Sequence, residues 1–138
     1  MSTSKIVILY LITTAVFLAV DFVWLSTATS RLYEPHIGDI LSDSPRLGVA
    51  GVFYLFYVVG LLALAVVPAL QDGSMWEAVW RGALFGAVAY GTYDLTNLAT
   101  IDGWAWQVTA IDIVWGTVLN TVVATVSYLA GSWLGLVR

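Results

Sequence analysis

Four stretches of this sequence, near residues 5–28, 46–70, 76–100 and 104–136, are each long and apolar enough to be read as helices that cross a bilayer. Spanning the hydrocarbon layer takes about 20 mostly apolar residues. The chain is 60% hydrophobic and only 10% charged, where ordinary soluble domains carry about 25% charged residues. The connections at Gln71–Met75, around Asp72-Gly73-Ser74, and at Asp102-Gly103 are short turn signals, so the helices they join are antiparallel neighbours. The expected fold is all-α: an integral membrane protein forming an antiparallel four-transmembrane-helix bundle in a single domain, 1–138.

The remaining punctuation fits that frame. The first connection, Thr29–Pro45, is polar, with Glu34, His36, Asp39 and Asp43, and has room for a short interfacial helix. Pro68 lies near the end of the second segment, where breaking a helix is cheap. The first segment resembles a signal peptide in outline, but Asp21 and Trp24 make a poor approach to a cleavage site, so a retained helix is expected. Lys5, Arg81 and Arg138 fall on one side of the bundle, and Arg31 and Arg46 on the other. That bias places both termini in the cytoplasm.

Within these apolar segments sit three aspartates: Asp21, Asp94 and Asp112. Each is expected to cost about 2.5–3.5 kcal/mol at the centre of a membrane helix. Asp21-Phe22-Val23-Trp24 and Asp112-Ile113-Val114-Trp115 repeat one signature, Asp-x-Val-Trp. Asp21 and Asp94 lie about 16 and 18 residues into helices that run the same way, and Asp112 lies about 8 residues into the helix that runs back. At 1.5 Å per residue all three fall within roughly 8–13 Å of one membrane face. They are expected to form one cluster.

Helical spacing supports the convergence. Tyr10, Thr14, Phe17, Asp21 and Trp24 form one stripe, and Tyr90, Asp94 and Asn97 another. Asp112, Gly116, Asn120, Ser127 and Gly131 make a small-and-polar stripe suited to close helix contact. Trp24, Trp76, Trp104 and Trp106 fall near helix ends, where an interfacial aromatic belt accounts for them, while Trp115 lies deeper and shares a face with Asp112. Gly82 and Gly86 make a GxxxG pattern, and a bundle this small is a candidate homodimer.

Absences narrow the chemistry. A net charge of −4 argues against nucleic acid. There is no cysteine, and the one histidine, His36, lies in the polar connection. No metal site or cofactor is therefore expected, because a partly protonated acid cluster is a poor home for Mg²⁺ or Ca²⁺. A lipid-phosphate enzyme would want basic side chains at its site, and the five in this chain lie near termini or connections.

The runs Phe53-Tyr54-Leu55-Phe56-Tyr57, Tyr90-Gly91-Thr92-Tyr93-Asp94-Leu95-Thr96-Asn97-Leu98-Ala99-Thr100 and Asp112-Ile113-Val114-Trp115-Gly116, with Asp21-Phe22-Val23-Trp24-Leu25, resemble a bacterial family of predicted membrane proteins catalogued as a domain of unknown function, DUF family 2177. The resemblance implies a four-span protein of the bacterial inner membrane and implies no activity.

Three functions compete. The first is binding or transport of a small lipid-like or cationic molecule at the aspartates. Its site would comprise Asp21, Asp94, Asp112, Asn97 and Asn120, with Trp24, Trp115, Tyr54, Tyr57, Tyr90 and Tyr93 as walls. Aromatic faces suit cations. The second is a structural subunit whose acids bond helices together. The third is a lipid- or isoprenoid-modifying enzyme with one aspartate as acid and another as base. Clustered acids at low dielectric cannot all ionise, so at least one is expected to hold a proton. A tightly packed interior with each acid bonded to a neighbour is the mark of helix glue. The partners expected are membrane lipids and a small amphiphile.

Overall fold

In lipid the backbone must satisfy its own hydrogen bonds, and this chain does so almost entirely as helix. The computed structural model describes residues 1–137, so Arg138 lies outside the described residues. Helix α1 (Thr3–Ala28) starts at Ser2, whose side chain accepts from the Lys5 N–H at 3.3 Å. It does not stop at the polar connection. A π-type turn (Thr29–Tyr33), a short helix α2 (Glu34–Ile37) and a 3₁₀ turn (Gly38–Ile40) continue it. Helices α3 (Leu47–Leu61) and α4 (Val67–Asp72) are joined by a second π-type turn, Leu62–Val66. Pro68 lacks the N–H that would bond the Leu64 carbonyl, and that carbonyl instead accepts from Arg81 at 3.5 Å. The rod bulges here rather than breaking.

Gly73, at φ 64°, ends α4 in the left-handed conformation. Ser74 then caps α5 (Met75–Thr100) by accepting from the Glu77 N–H at 3.4 Å. A turn with Gly103 at φ 89° leads into α6 (Trp106–Trp133). Four helical rods result, with no strand among the described residues. Three of them, Thr3–Ile40, Leu47–Asp72 and Trp106–Trp133, are long and apolar enough to cross a membrane. Although α5 has 26 residues, Glu77, Arg81, Asp94 and its threonine, asparagine and glycine residues dilute its apolar content. Leu11, Phe22, Phe56, Val114 and Leu129 point outward, giving the molecule an apolar exterior.

The tightest packing joins α5 to α6. A Cβ on Gly82 would sit 2.7 Å from the Asn120 carbonyl oxygen and 2.8 Å from the Ala124 Cβ, and one on Gly86 would strike the Gly116 carbonyl. The GxxxG pattern therefore faces inward and serves the α5–α6 contact; it is not a free face for a second copy. On the far side of α6 lies α1, where Thr13 donates to Ser127 at 2.8 Å in a fully buried pair. Helix two is packed unevenly. Its bulge and α4 sit against α5 and α6, whereas α3 rests on α1 and draws away from α5. The main core (Phe17, Val58, Leu61, Leu119, Val123) fills the α4 end. A smaller core (Ala28, Leu32, Ile37, Val108) closes the other end. The splay of α3 leaves a cleft between them.

Candidate functional site

That cleft is a cavity of about 1060 Å³, walled by α1, the first connection, α3, α5 and α6. Asp21 and Asp112 both line it, as do Trp24, Trp115, Tyr54, Tyr57, Tyr90 and Tyr93. Asp21 and Asp112 are only 6% and 5% exposed as residues. Tyr54 donates to Asp21 Oδ2 at 3.0 Å, bridging α3 to α1. Tyr33 donates to Asp112 Oδ1 in a short bond and accepts from Trp24 Nε1 at 3.0 Å. Trp24 in turn lies face to face with Trp115.

Asp94 occupies a different place. It is fully buried, and neither carboxylate oxygen has a hydrogen-bond partner among the described residues, although the Asp112 carboxyl lies beside it. It does not line the cavity. Asp94 and Asp112 are thus neighbours, and Asp21 lines the same cavity as Asp112. Among the described residues no three acidic or histidine groups come together as a metal site would need. Asp21 and Asp112 share the cavity lining, and Asp94 lies outside it beside Asp112.

Two further expectations change. Asn97 is half-exposed and absent from the cavity wall; its backbone carbonyl closes the end of α5 by accepting from the Ile101 N–H at 2.9 Å. Asn120 is fully buried behind the wall. It donates to the Gly116 carbonyl at 2.6 Å and accepts from the Tyr57 hydroxyl at 2.9 Å, so it positions Tyr57 and does not reach the cavity. Tyr90 lies directly over Gly116, where any side chain would occupy the space of its ring.

Trp24 and Trp104, read as interfacial belt residues, turn inward as well. Trp104 donates to Thr109 Oγ1 at 3.0 Å, and Thr109 bonds the Asp94 carbonyl oxygen at 3.2 Å, which locks the start of α6 to α5 beside the acid pair. Trp115 Nε1 lies near Asp21 without hydrogen-bond geometry and has no partner. The residue that sequence reasoning missed is Tyr33. Its place in an apparently polar connection concealed it, although Leu32 and Tyr33 extend the Asp21–Trp24–Ala28 helical period by one more turn. Arg46 lines the cavity too, at the start of α3. A shallower groove of about 410 Å³, lined by Leu18, Phe22, Leu25 and Tyr54, runs along the outer side of Asp21.

No curated protein and no solved structure matches the chain. A family model described as "Predicted membrane protein (DUF2177)" matches residues 6–129, a span that contains all three aspartates and both copies of the Asp-x-Val-Trp signature. The chain belongs to this DUF2177 family of predicted membrane proteins.

Proposed function

We propose that this protein binds or carries a small lipid-like or cationic molecule in the cavity between α1, α3, α5 and α6. Helix α5 then makes the fourth span, the cavity lies within one leaflet, and both termini face the cytoplasm. One observation carries the reading: two nearly buried carboxylates line an aromatic cavity whose volume is that of a small-molecule site, about 300–1,000 Å³ or slightly more. No basic side chain among the described residues is bonded to either. Intramembrane acids that face a cavity are characteristic of substrate or ion pathways.

Helix glue is the second reading, favoured by the Tyr54–Asp21 and Tyr33–Asp112 bonds, each of which ties two elements together. It leaves the cavity and the unpartnered Asp94 without a role. The two readings separate in purified protein reconstituted into lipid nanodiscs. Ligand binding predicts that a co-purified amphiphile is seen by native mass spectrometry and is lost from Asp21→Asn and Asp112→Asn protein that remains folded. Glue predicts an empty wild-type protein, with the Asn variants differing from it only in thermal stability.

A further inference from the structure

The cavity has a particular shape of opening. Phe53 and Val49 of α3 and Tyr93 of α5 line it and are all more than half exposed, at 58%, 69% and 58%. They stand on either side of the gap left where α3 draws away from α5. The gap is bounded at one end by Phe85, which meets Tyr57 edge-on at 5.1 Å and fills the space beside Gly60. The walls of the gap are apolar. The groove on the other side of Asp21, lined by Leu18, Phe22 and Leu25, is apolar too. Asp21 is therefore approached through hydrocarbon-facing surface from both sides of α3, with the Tyr54 hydroxyl on one of its oxygens and Asp21 Oδ1 without a bonded donor.

Charge is the second constraint. The basic side chain lining the cavity, Arg46, starts α3 eight residues before Tyr54, or about 12 Å along the helix axis. Asp21 and the Asp94–Asp112 pair have no bonded counter-charge among the described residues. A buried carboxylate is costly unless a cation or hydrogen bonds offset it. Trp24, Trp115, Tyr54 and Tyr90 present aromatic faces and edges around the same space.

We infer that the ligand is a long-chain alkylammonium amphiphile, its N–H groups seated between Asp21 and Asp112 and its chain leaving sideways through the gap between α3 and α5 into the bilayer. The inference rests on the binding function proposed above and adds the charge, the tail and the route. The ammonium supplies the missing counter-charge and donates to Asp21 Oδ1. The chain exchanges one apolar environment for another, so the protein selects the headgroup while the membrane delivers the molecule.

The test uses the full chain in phosphatidylcholine nanodiscs, with tryptophan emission as readout and three probes: dodecylamine, butylamine and dodecanol. Dodecylamine is expected to bind about 100-fold more tightly than either of the others, and to weaken about 10-fold or more in Asp21→Asn. Ala89→Trp, which fills the gap from α5, is expected to weaken dodecylamine about 10-fold while leaving butylamine unchanged. Helix content and elution volume establish that both variants fold, and Ala50→Trp, filling the gap from α3, repeats the test should Ala89→Trp not fold. Butylamine binding as tightly as dodecylamine would overturn the tail and leave a cation site standing. Dodecanol binding as tightly, with no effect of Asp21→Asn, would overturn the ammonium and leave a lipid site. Dodecylamine binding unchanged by a folded gap-filling variant would overturn the route. Binding of none of the three would remove both this inference and the function beneath it.

Discussion

Trp24 and Trp115 stack face to face, with ring centroids 4.5 Å apart and planes 7° from parallel. Each stands three residues after an aspartate in the repeated Asp-x-Val-Trp signature. Because α1 and α6 run in opposite directions, the two copies meet tail to tail, and the stack sets Asp21 and Asp112 on walls of one cavity. The repeat is thus a packing device as well as a sequence pattern.

Breaking that stack has an optical signature. Two indoles this close couple through their intense far-ultraviolet transitions, so wild-type protein is expected to show a far-ultraviolet circular dichroism couplet, read as a difference spectrum, that is lost in both Trp24→Phe and Trp115→Phe. Each change should destabilise by about 0.5–1.5 kcal/mol beyond lost area, the usual worth of an aromatic pair. A spectrum unchanged by either substitution would mean that the rings do not stack.

Tyr33 links the connection to the site, accepting from Trp24 and donating to Asp112. Tyr33→Phe leaves both partners unpaired and is expected to cost about 1–3 kcal/mol. In Asp112→Asn the same loss should be smaller, because the carboxyl oxygen that accepts from Tyr33 is gone. A double-mutant cycle by thermal unfolding should give a coupling of about 0.5 kcal/mol or more. Strict additivity counts against the bond.

Glycine at the α5–α6 contact is a steric requirement. Gly86→Ala would strike the Gly116 backbone and Gly116→Ala would strike the Tyr90 ring. Each is expected to destabilise by about 1–3 kcal/mol or more. Gly51→Ala, with nothing within 4 Å of the new methyl, should be neutral or stabilise by up to about 1 kcal/mol. Melting temperatures of the three variants in one detergent decide it. Equal values would contradict the close approach of α5 to α6.

The buried Thr13–Ser127 bond separates α1–α6 packing from ligand chemistry, since neither residue lines the cavity. Ser127→Ala alone strands the Thr13 hydroxyl and should cost about 1–3 kcal/mol, whereas adding Thr13→Val should recover much of that loss. Ligand binding should be unaffected in both. A double variant less stable than the single would show that the hydroxyl pair is not the interaction being removed.

Much of this architecture was legible from local pattern. Apolar length marked the helices, Asp72-Gly73-Ser74 and Asp102-Gly103 marked two turns, and the stripe Asp112, Gly116, Asn120, Ser127 and Gly131 is buried at every position. What escaped depended on rotation and reach. Asn97 shares a helix face with Asp94 but lies one turn further along, past the cavity. Tyr33 hid in a connection whose composition signals a loop, and the glycines of α5 gave no sign of which neighbour they would meet.

The chain's own sequence determined helical content, the position of each aspartate along its helix and the small-residue stripe, because hydrophobicity, helical rise and side-chain size are local properties. Only the tertiary structure decided that α3 draws away from α5 beyond the Leu62–Val66 bulge, that Asp94 lies outside the cavity lined by Asp21 and Asp112, and that Tyr33 returns to Asp112. These follow from how whole rods rotate and tilt to bury their small faces against one another. That balance is summed over four helices and is not written in any one of them.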